Sequence, residues 1–329
     1  VTHRSSWVAL FLALVGAGTA FSVPSWFPRG FRTAQASDPV DLRSYLATED
    51  LSIADSIHRF GTVRVGAAEI ACQAWIPARA RGTVFLVHGY YNHTGIWAPH
   101  IRRFLSEGWA VASLDLPGHG LSDGRPFDVD SIGEYGDALI ALEDSLRGRA
   151  PRPWSVVAHS MGGLVVLDRA RRPDYPYANT VLLAPMVHFS GWTWIGAVLP
   201  AISLFKDQMV RGKTLNSSSD TAFLHRVEKD PLEGWRTPVH WLKEVRIWNA
   251  EPRVSQLAPS RWFYLQGDQD RTVDWRYDID WVAARTDGMR VRMFKGARHH
   301  LQDEGGPLGD LVRTSLDSAI GGGLPSARK

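Results

Sequence analysis

Beyond residue 60 the apolar and polar positions change rhythm once and then keep it. Two short β-rich runs, 62–65 and 69–76, flank Gly66 and predict an antiparallel hairpin. A continuous apolar run over 83–87 then ends at His88-Gly89 and is followed by helical spacing over 96–107. The same alternation repeats as a strand at 110–114, a helix over 132–146, a strand at 155–158, a helix over 162–170 and a strand at 180–183. Strands that are apolar throughout, alternating with helices, predict an α/β class with a mostly parallel sheet flanked by helices. Between Pro185 and Trp262 the alternation stops, and the intervening stretch is rich in Trp and Pro, from Trp192 and Trp194 through Trp235, Trp241 and Trp248. It is too long for a loop, so residues 186–259 are expected to form an inserted helical cap. The sheet resumes with a strand at 261–266, a helix over 275–284, a strand at 290–294 and a last helix over 308–320. The expected core is therefore 37–185 together with 260–320, and 321–329 reads as a frayed tail.

The amino-terminal pattern is different. Arg4 precedes an apolar run over 7–23 that is interrupted only by small residues and Ser22, and Pro24 and Pro28 cut it off. Residues 1–36 are expected to be a signal peptide or a membrane anchor with a linker. Gly18-Thr19-Ala20 and Ala34-Gln35-Ala36 both offer cleavage sites, and the run is near the lower length limit for a membrane span. Arg4 on one side is balanced by Arg29 and Arg32 on the other, which leaves orientation unspecified. The expectation is a protein exported across, or anchored in, a bacterial inner membrane, with membrane association through this segment.

Composition narrows the chemistry. With 37 basic and 34 acidic residues the net charge is +3, and no block of like charges stands out, so nucleic acid is not an expected partner. Cys72 is the only cysteine, which excludes an intramolecular disulfide, a Cys-rich zinc site and a CxxC redox pair.

The strongest local motif is Ala158-His159-Ser160-Met161-Gly162-Gly163 between a buried strand and a helix. A nucleophile elbow needs that context, because its turn is so tight that small residues must flank the serine. Ala158 stands where the motif usually has its first glycine. Gly267-Asp268-Gln269-Asp270-Arg271-Thr272-Val273 follows the strand at 261–266, and Gly296-Ala297-Arg298-His299-His300 follows the strand at 290–294. Both segments lie at the carboxyl ends of strands, where reacting groups gather in open α/β sheets. The order is serine, acid, histidine, with Asp268 or Asp270 as acid and His299 or His300 as base.

These segments, together with Val87-His88-Gly89-Tyr90, the run from Leu114 to Ser122 around Pro117-Gly118-His119-Gly120, and Leu183-Ala184-Pro185-Met186, resemble the α/β-hydrolase superfamily, and within it the monoacylglycerol lipase and lysophospholipase group. The resemblance spans 60–320. It implies the α/β-hydrolase fold, a catalytic set of Ser160, Asp270 and His299, and an oxyanion hole from the backbone amides of Tyr90 and Met161. Two fixed N–H donors suit the charge of a tetrahedral intermediate, and Met161 at a helix start adds a favourable dipole. No metal or cofactor is implied. His88, His119 and His159 are expected to be structural hydrogen-bonders, His225 and His240 to be solvated or packed, and Asp115 and Asp123 to organise the loop around Gly118.

The expected reaction is hydrolysis of a lipid or other ester through an acyl-enzyme, with a monoacylglycerol or lysophospholipid as substrate. The apolar run over 192–205 suggests an acyl tunnel, or else packing of the cap onto the sheet. A proline-type aminopeptidase of the same fold would need acidic cap groups to hold an amine, and Glu228, Glu233 and Glu244 are available. A binding protein on a hydrolase fold is the non-enzymatic alternative.

Overall fold

The computed structural model describes residues 21–25, 27–33, 40–53, 56–210, 217–251 and 256–323. A short strand β1 (Arg32–Thr33) and helix α1 (Val40–Thr48) precede the hairpin of β2 (Ile57–Val65) and β3 (Ala68–Ile76). The hairpin turns at Gly66, whose φ of 59° suits a residue without Cβ. Strand β2 begins earlier than the sequence suggests because His58 stacks on Trp75 and its Nε2 bonds Gln73 at 3.1 Å, which extends pairing beyond the apolar stretch. Then come β4 (Thr83–Val87), a 3-10 turn leading into α2 (Ala98–Ser106), β5 (Ala110–Leu114), α3 (Gly133–Leu146), β6 (Trp154–His159), α4 (Met161–Arg169) and β7 (Tyr177–Leu183). The sheet finishes with β10 (Arg261–Gly267), α8 (Trp275–Ala283), β11 (Arg290–Phe294) and α9 (Gly306–Ile320).

Among the described residues these strands form one nine-stranded sheet in the order β1-β2-β3-β5-β4-β6-β7-β10-β11. Every pairing from β5 through β11 is parallel, and β1, β2 and β3 join antiparallel at one edge. Strands β4, β5 and β6 are buried along their whole length, as continuous apolar runs require when helices cover both faces. One face packs on α3 and α4 through Tyr135, Leu139 and Leu164, the other on α2 and α9 through Phe104 and Leu316.

The cap between β7 and β10 holds α5 (Trp192–Ile202), β8 (Gln208–Val210), α6 (Thr221–Lys229), β9 (Arg236–Pro238) and α7 (Val239–Ala250). It is therefore not purely helical, since β8 and β9 form an antiparallel ribbon. Three-residue strands are too short to leave a period-two signal in the sequence. The chain leaves the sheet for the cap at Val187 and His188, whose amides both donate to the buried Asp278 carboxylate at 3.2 and 2.8 Å.

The expected linker is corrected in part. Phe21, Val23 and Phe27 are buried in the core of the domain, Phe21 exchanges two backbone hydrogen bonds with Gly124, and β1 pairs with β2. Apolar side chains of this size bury wherever the domain offers a groove, so this stretch belongs to the folded unit. The run at 7–20 and both candidate cleavage sites lie outside the described residues. Among the described residues no helix is long and apolar enough to cross a membrane.

Phe27 is 1% exposed and Trp194 79% exposed, so their truncations are expected to differ sharply. Phe27→Ala should lower unfolding free energy by about 3–5 kcal/mol in urea titration, and Trp194→Ala by less than about 0.5 kcal/mol.

Candidate active site

Strand β6 delivers Ser160 into a turn with φ 52° and ψ −118°. Such a backbone is costly for a residue with a Cβ, and it is sustained here by the surrounding bonds. Ser160 N–H donates to Leu183 O at 3.0 Å, and Ser160 O accepts from Gly163 and Met186 amides at 2.8 and 3.0 Å. The glycine requirement is steric. A Cβ on Gly162 would stand 2.4 Å from Val87 O and 2.7 Å from His88 O, and one on Gly163 would stand 2.4 Å from Pro185 Cβ. At position 158 the chain is still strand, so Ala158 fits in place of glycine.

Three strand ends converge at this turn. Ser160 Oγ lies 2.9 Å from His299 Nε2, and His299 Nδ1 lies 2.8 Å from Asp270 Oδ2. A carboxylate only accepts, so the His299 proton sits on Nδ1 and Nε2 is left to receive the serine proton. Asp270 Oδ2 also accepts from Gln266 Nε2 at 3.0 Å, and Oδ1 accepts from the amides of Thr272 and Val273 at 2.7 and 3.3 Å. Burial pushes the Asp270 carboxyl upward, but His299 and these N–H donors outweigh it and hold the group below the ordinary carboxylate range. The two neighbours left open by the residue reading go elsewhere. Asp268 Oδ1 accepts from Gly296 N–H at 2.7 Å, which ties the acid loop to the histidine loop. His300 is buried against His159 and Phe223, and its amide donates to Ser217 O.

The amides of Tyr90 and Met161 donate no hydrogen bond among the described residues, which leaves both free for an incoming oxygen. A Cβ on Gly89 would stand 3.3 Å from Ser160 Cβ, so the loop bearing Tyr90 lies directly against the serine. His159 fills the space behind. Its Nε2–H donates to His299 O at 3.0 Å, and burial pushes its pKa down to about 3, so it stays neutral beside the base. His88 Nδ1 bonds Gly89 O at 2.8 Å while its Nε2 accepts from Leu116 N–H, and burial pushes it down to about 4. His119 bonds Pro117 O. Asp115 accepts from the Thr94 and Leu121 amides and Asp123 from the Val23 and Glu69 amides. In the cap, His225 is exposed, while His240 pairs with Asp128.

A cavity of about 490 Å³ opens on Ser160, His299 and His159 beneath the cap. Its apolar wall comes from Phe189, Ile195, Met209, Trp241 and Leu242. The apolar run over 192–205 contributes only Ile195, and Trp194, Val198, Leu204 and Phe205 instead face outward. Helix α5 covers the cavity with one side and presents the other to solvent, so neither the tunnel nor the packing expectation holds for most of the run. Glu228, Glu233 and Glu244 are all absent from the cavity wall. Arg271 is the only lysine, arginine or carboxylate side chain among the described lining residues, and it pairs with no group there. Its neighbour Asp270 is fully engaged elsewhere. Arg271 directly follows Asp270 in the sequence, with no motif or periodicity of its own to mark it.

Glu49, His93 and Asp230 bring donor atoms within 4.8 Å of one another, near enough to hold a cation. The ring argues against it. His93 Nδ1 accepts from Gly95 N–H at 3.1 Å, so the proton sits on Nε2, the atom facing both carboxylates. The group is a hydrogen-bonded cluster, with Nε2–H donating to Asp230 Oδ2 at 2.8 Å.

Residues 78–305 match the family model described as Hydrolase_4: Serine aminopeptidase, S33. A monoacylglycerol lipase of Mycolicibacterium smegmatis is 25% identical over 269 residues, covering 78% of this chain and 94% of that protein. Phospholipase YtpA of Bacillus subtilis is 28% identical over 247 residues, covering 70% and 92%. Among solved structures, a soluble variant of monoglyceride lipase from Saccharomyces cerevisiae in complex with a substrate analog aligns with a TM-score of 0.68 at 18% identity, over 80% of this chain and 95% of that one. That likeness gives the α/β-hydrolase fold.

Gly162→Ala is expected to force the elbow away from β4 and to cost about 1–3 kcal/mol or more, read by thermal unfolding. Ala158→Gly, where the strand has room, should cost about 1 kcal/mol or less.

Proposed function

The chain belongs to the serine aminopeptidase S33 family of α/β-hydrolases, in its monoacylglycerol lipase-like group, and from that premise we propose that it hydrolyses carboxylic esters of single-chain lipids through an acyl-enzyme on Ser160. The observation that carries this reading is the unbroken relay from Ser160 Oγ to His299 Nε2 at 2.9 Å and from His299 Nδ1 to Asp270 at 2.8 Å, opening on an apolar cavity. In the reaction His299 takes the Ser160 proton as Oγ attacks the ester carbonyl. The oxyanion forms against the Tyr90 and Met161 amides, and His299 returns the proton to the leaving alcohol. Water then attacks the acyl-enzyme by the same route and releases the fatty acid. Asp270, below its ordinary range, remains ionised throughout and stabilises the imidazolium.

The aminopeptidase alternative loses its main support, because among the described residues no acidic cap side chain reaches the cavity to hold an amine. A purely binding role would not need the relay to be intact. Between lipid classes, Arg271 favours a lysophospholipid. An unpaired guanidinium beside an apolar acyl site suits a phosphate head group, which it can bind through two parallel N–H donors. The phospholipase relative agrees with this choice, and the monoacylglycerol lipase relative favours the neutral substrate.

Two measurements test the reading. Ser160→Ala should abolish fluorophosphonate labelling and lower kcat by about 10⁴-fold or more; equal labelling of both proteins would overturn the nucleophile. In a panel of matched acyl chains, Arg271→Gln should lower kcat/KM for lysophosphatidate about 10-fold and leave monoacylglycerol within about twofold. Cleavage of aminoacyl amides alone would overturn the lipid assignment.

A further inference from the structure

The loop that bears the first oxyanion amide is fastened to the cap at four consecutive residues. The Tyr90 ring stacks on Trp241 of α7, with centroids 4.0 Å apart and planes at 29°. Tyr91 O accepts from Gly234 N–H at 3.0 Å, and its hydroxyl pairs with Thr237 Oγ1 on β9. Asn92 Nδ2 donates to Glu233 Oε1 at 2.5 Å. His93 Nε2–H donates to Asp230 Oδ2 at 2.8 Å. Asn92 and His93 are essentially sealed from solvent, at 1% and 0% exposure, so their partners cannot be replaced by water without rearrangement.

The second oxyanion amide is held quite differently. Met161 opens α4, fully buried in the core, and the turn before it is fixed by β7 through the Ser160–Leu183 bond. The two donors thus belong to different bodies, Met161 to the sheet and Tyr90 to a loop shared with the cap. On the reading of Tyr90 as an oxyanion donor, we infer that Asp230 and Glu233 of the cap are positioning residues for that amide, so that seating of the cap sets the strength of the oxyanion hole. Neither carboxylate lines the cavity or touches the serine, and each acts through its partner in the loop. The physical lever is distance. An oxyanion donor works only when it is aimed at the position the oxygen occupies in the transition state, and losing one such donor costs about 10²–10³-fold in kcat. Shifting it costs a part of that and leaves ground-state binding largely unchanged.

The test compares Asp230→Ala and Glu233→Ala with Arg246→Ala, which removes a bond within the cap from Arg246 to Gly196 O and touches nothing in the loop. Each is assayed for melting temperature, for kcat and KM on p-nitrophenyl butyrate, and for inhibition by a butyl trifluoromethyl ketone, whose hemiketal carries the oxyanion. The expected result is a fall in kcat of about 10-fold or more with KM within about threefold, and a rise in the ketone Ki by the same factor. Glu233→Gln and Asp230→Asn, which keep an acceptor oxygen, should recover most of the loss. Tyr91→Phe removes a single hydroxyl and should show a smaller change in the same sense, which keeps the test open where an alanine variant does not fold. Wild-type kcat in the folded Asp230 and Glu233 variants would overturn the inference, as would a loss no larger than that of Arg246→Ala at equal melting temperature. Failure of the underlying reading looks different: there, the wild-type protein itself would cleave no ester or would cleave it without Ser160.

Discussion

Ser160 sits in a backbone conformation that a residue with a side chain adopts only under constraint, and most of the molecule can be understood as that constraint. The turn closes only because Gly162 lets α4 approach the carbonyls of Val87 and His88 and Gly163 lets it approach Pro185. Those carbonyls are where they are because β4, β6 and β7 are adjacent parallel strands, locked in register from Thr83–Trp154 through His159–Leu183. The parallel sheet also decides what else arrives. Parallel strands put all their carboxyl ends on one edge, so the loops after β4, β10 and β11 reach the same place as the turn after β6.

Burial then tunes what the sheet assembles. Two buried histidines, His159 at the elbow and His88 at the end of β4, are driven neutral by desolvation, so neither competes electrostatically with His299 for a proton. Asp270 is also buried, yet the N–H donors of Gln266, Thr272 and Val273 and the neighbouring imidazole keep it ionised where desolvation alone would neutralise it. His159 has a structural task as well, since the same ring that stays uncharged holds the backbone of His299. The cap contributes an apolar wall over this polar floor and grips the Tyr90 loop from above, so it is part of the site as much as a cover for it.

Much of the fold was legible before any coordinates. The strand at 110–114 emerges with the bounds read from its apolar run, because a strand buried on both faces writes a continuous signal. Signals weaken where burial is partial. Helix α5 reads as a tunnel or a packing element from its apolar content, yet one helix has two sides and only Ile195 reaches the cavity. The ribbon of β8 and β9 left no trace, being three residues per strand; Phe21 and Val23 were hidden inside a run whose composition suggested another role, and Phe27 in the expected linker behind it.

The order of the chemistry, serine, then acid, then histidine, was legible from the sequence alone, because each candidate stands in the segment that follows a strand and a strand end is a local property. The requirement for small residues at the elbow was likewise local. Tertiary structure alone decided which carboxylate meets His299, the neutrality of His159, the free guanidinium of Arg271 and the fastening of Tyr90, Tyr91, Asn92 and His93 to the cap. Each depends on which groups from distant segments share a desolvated space, and separations such as the 141 residues between Asn92 and Glu233 leave no periodicity from which contact could be read.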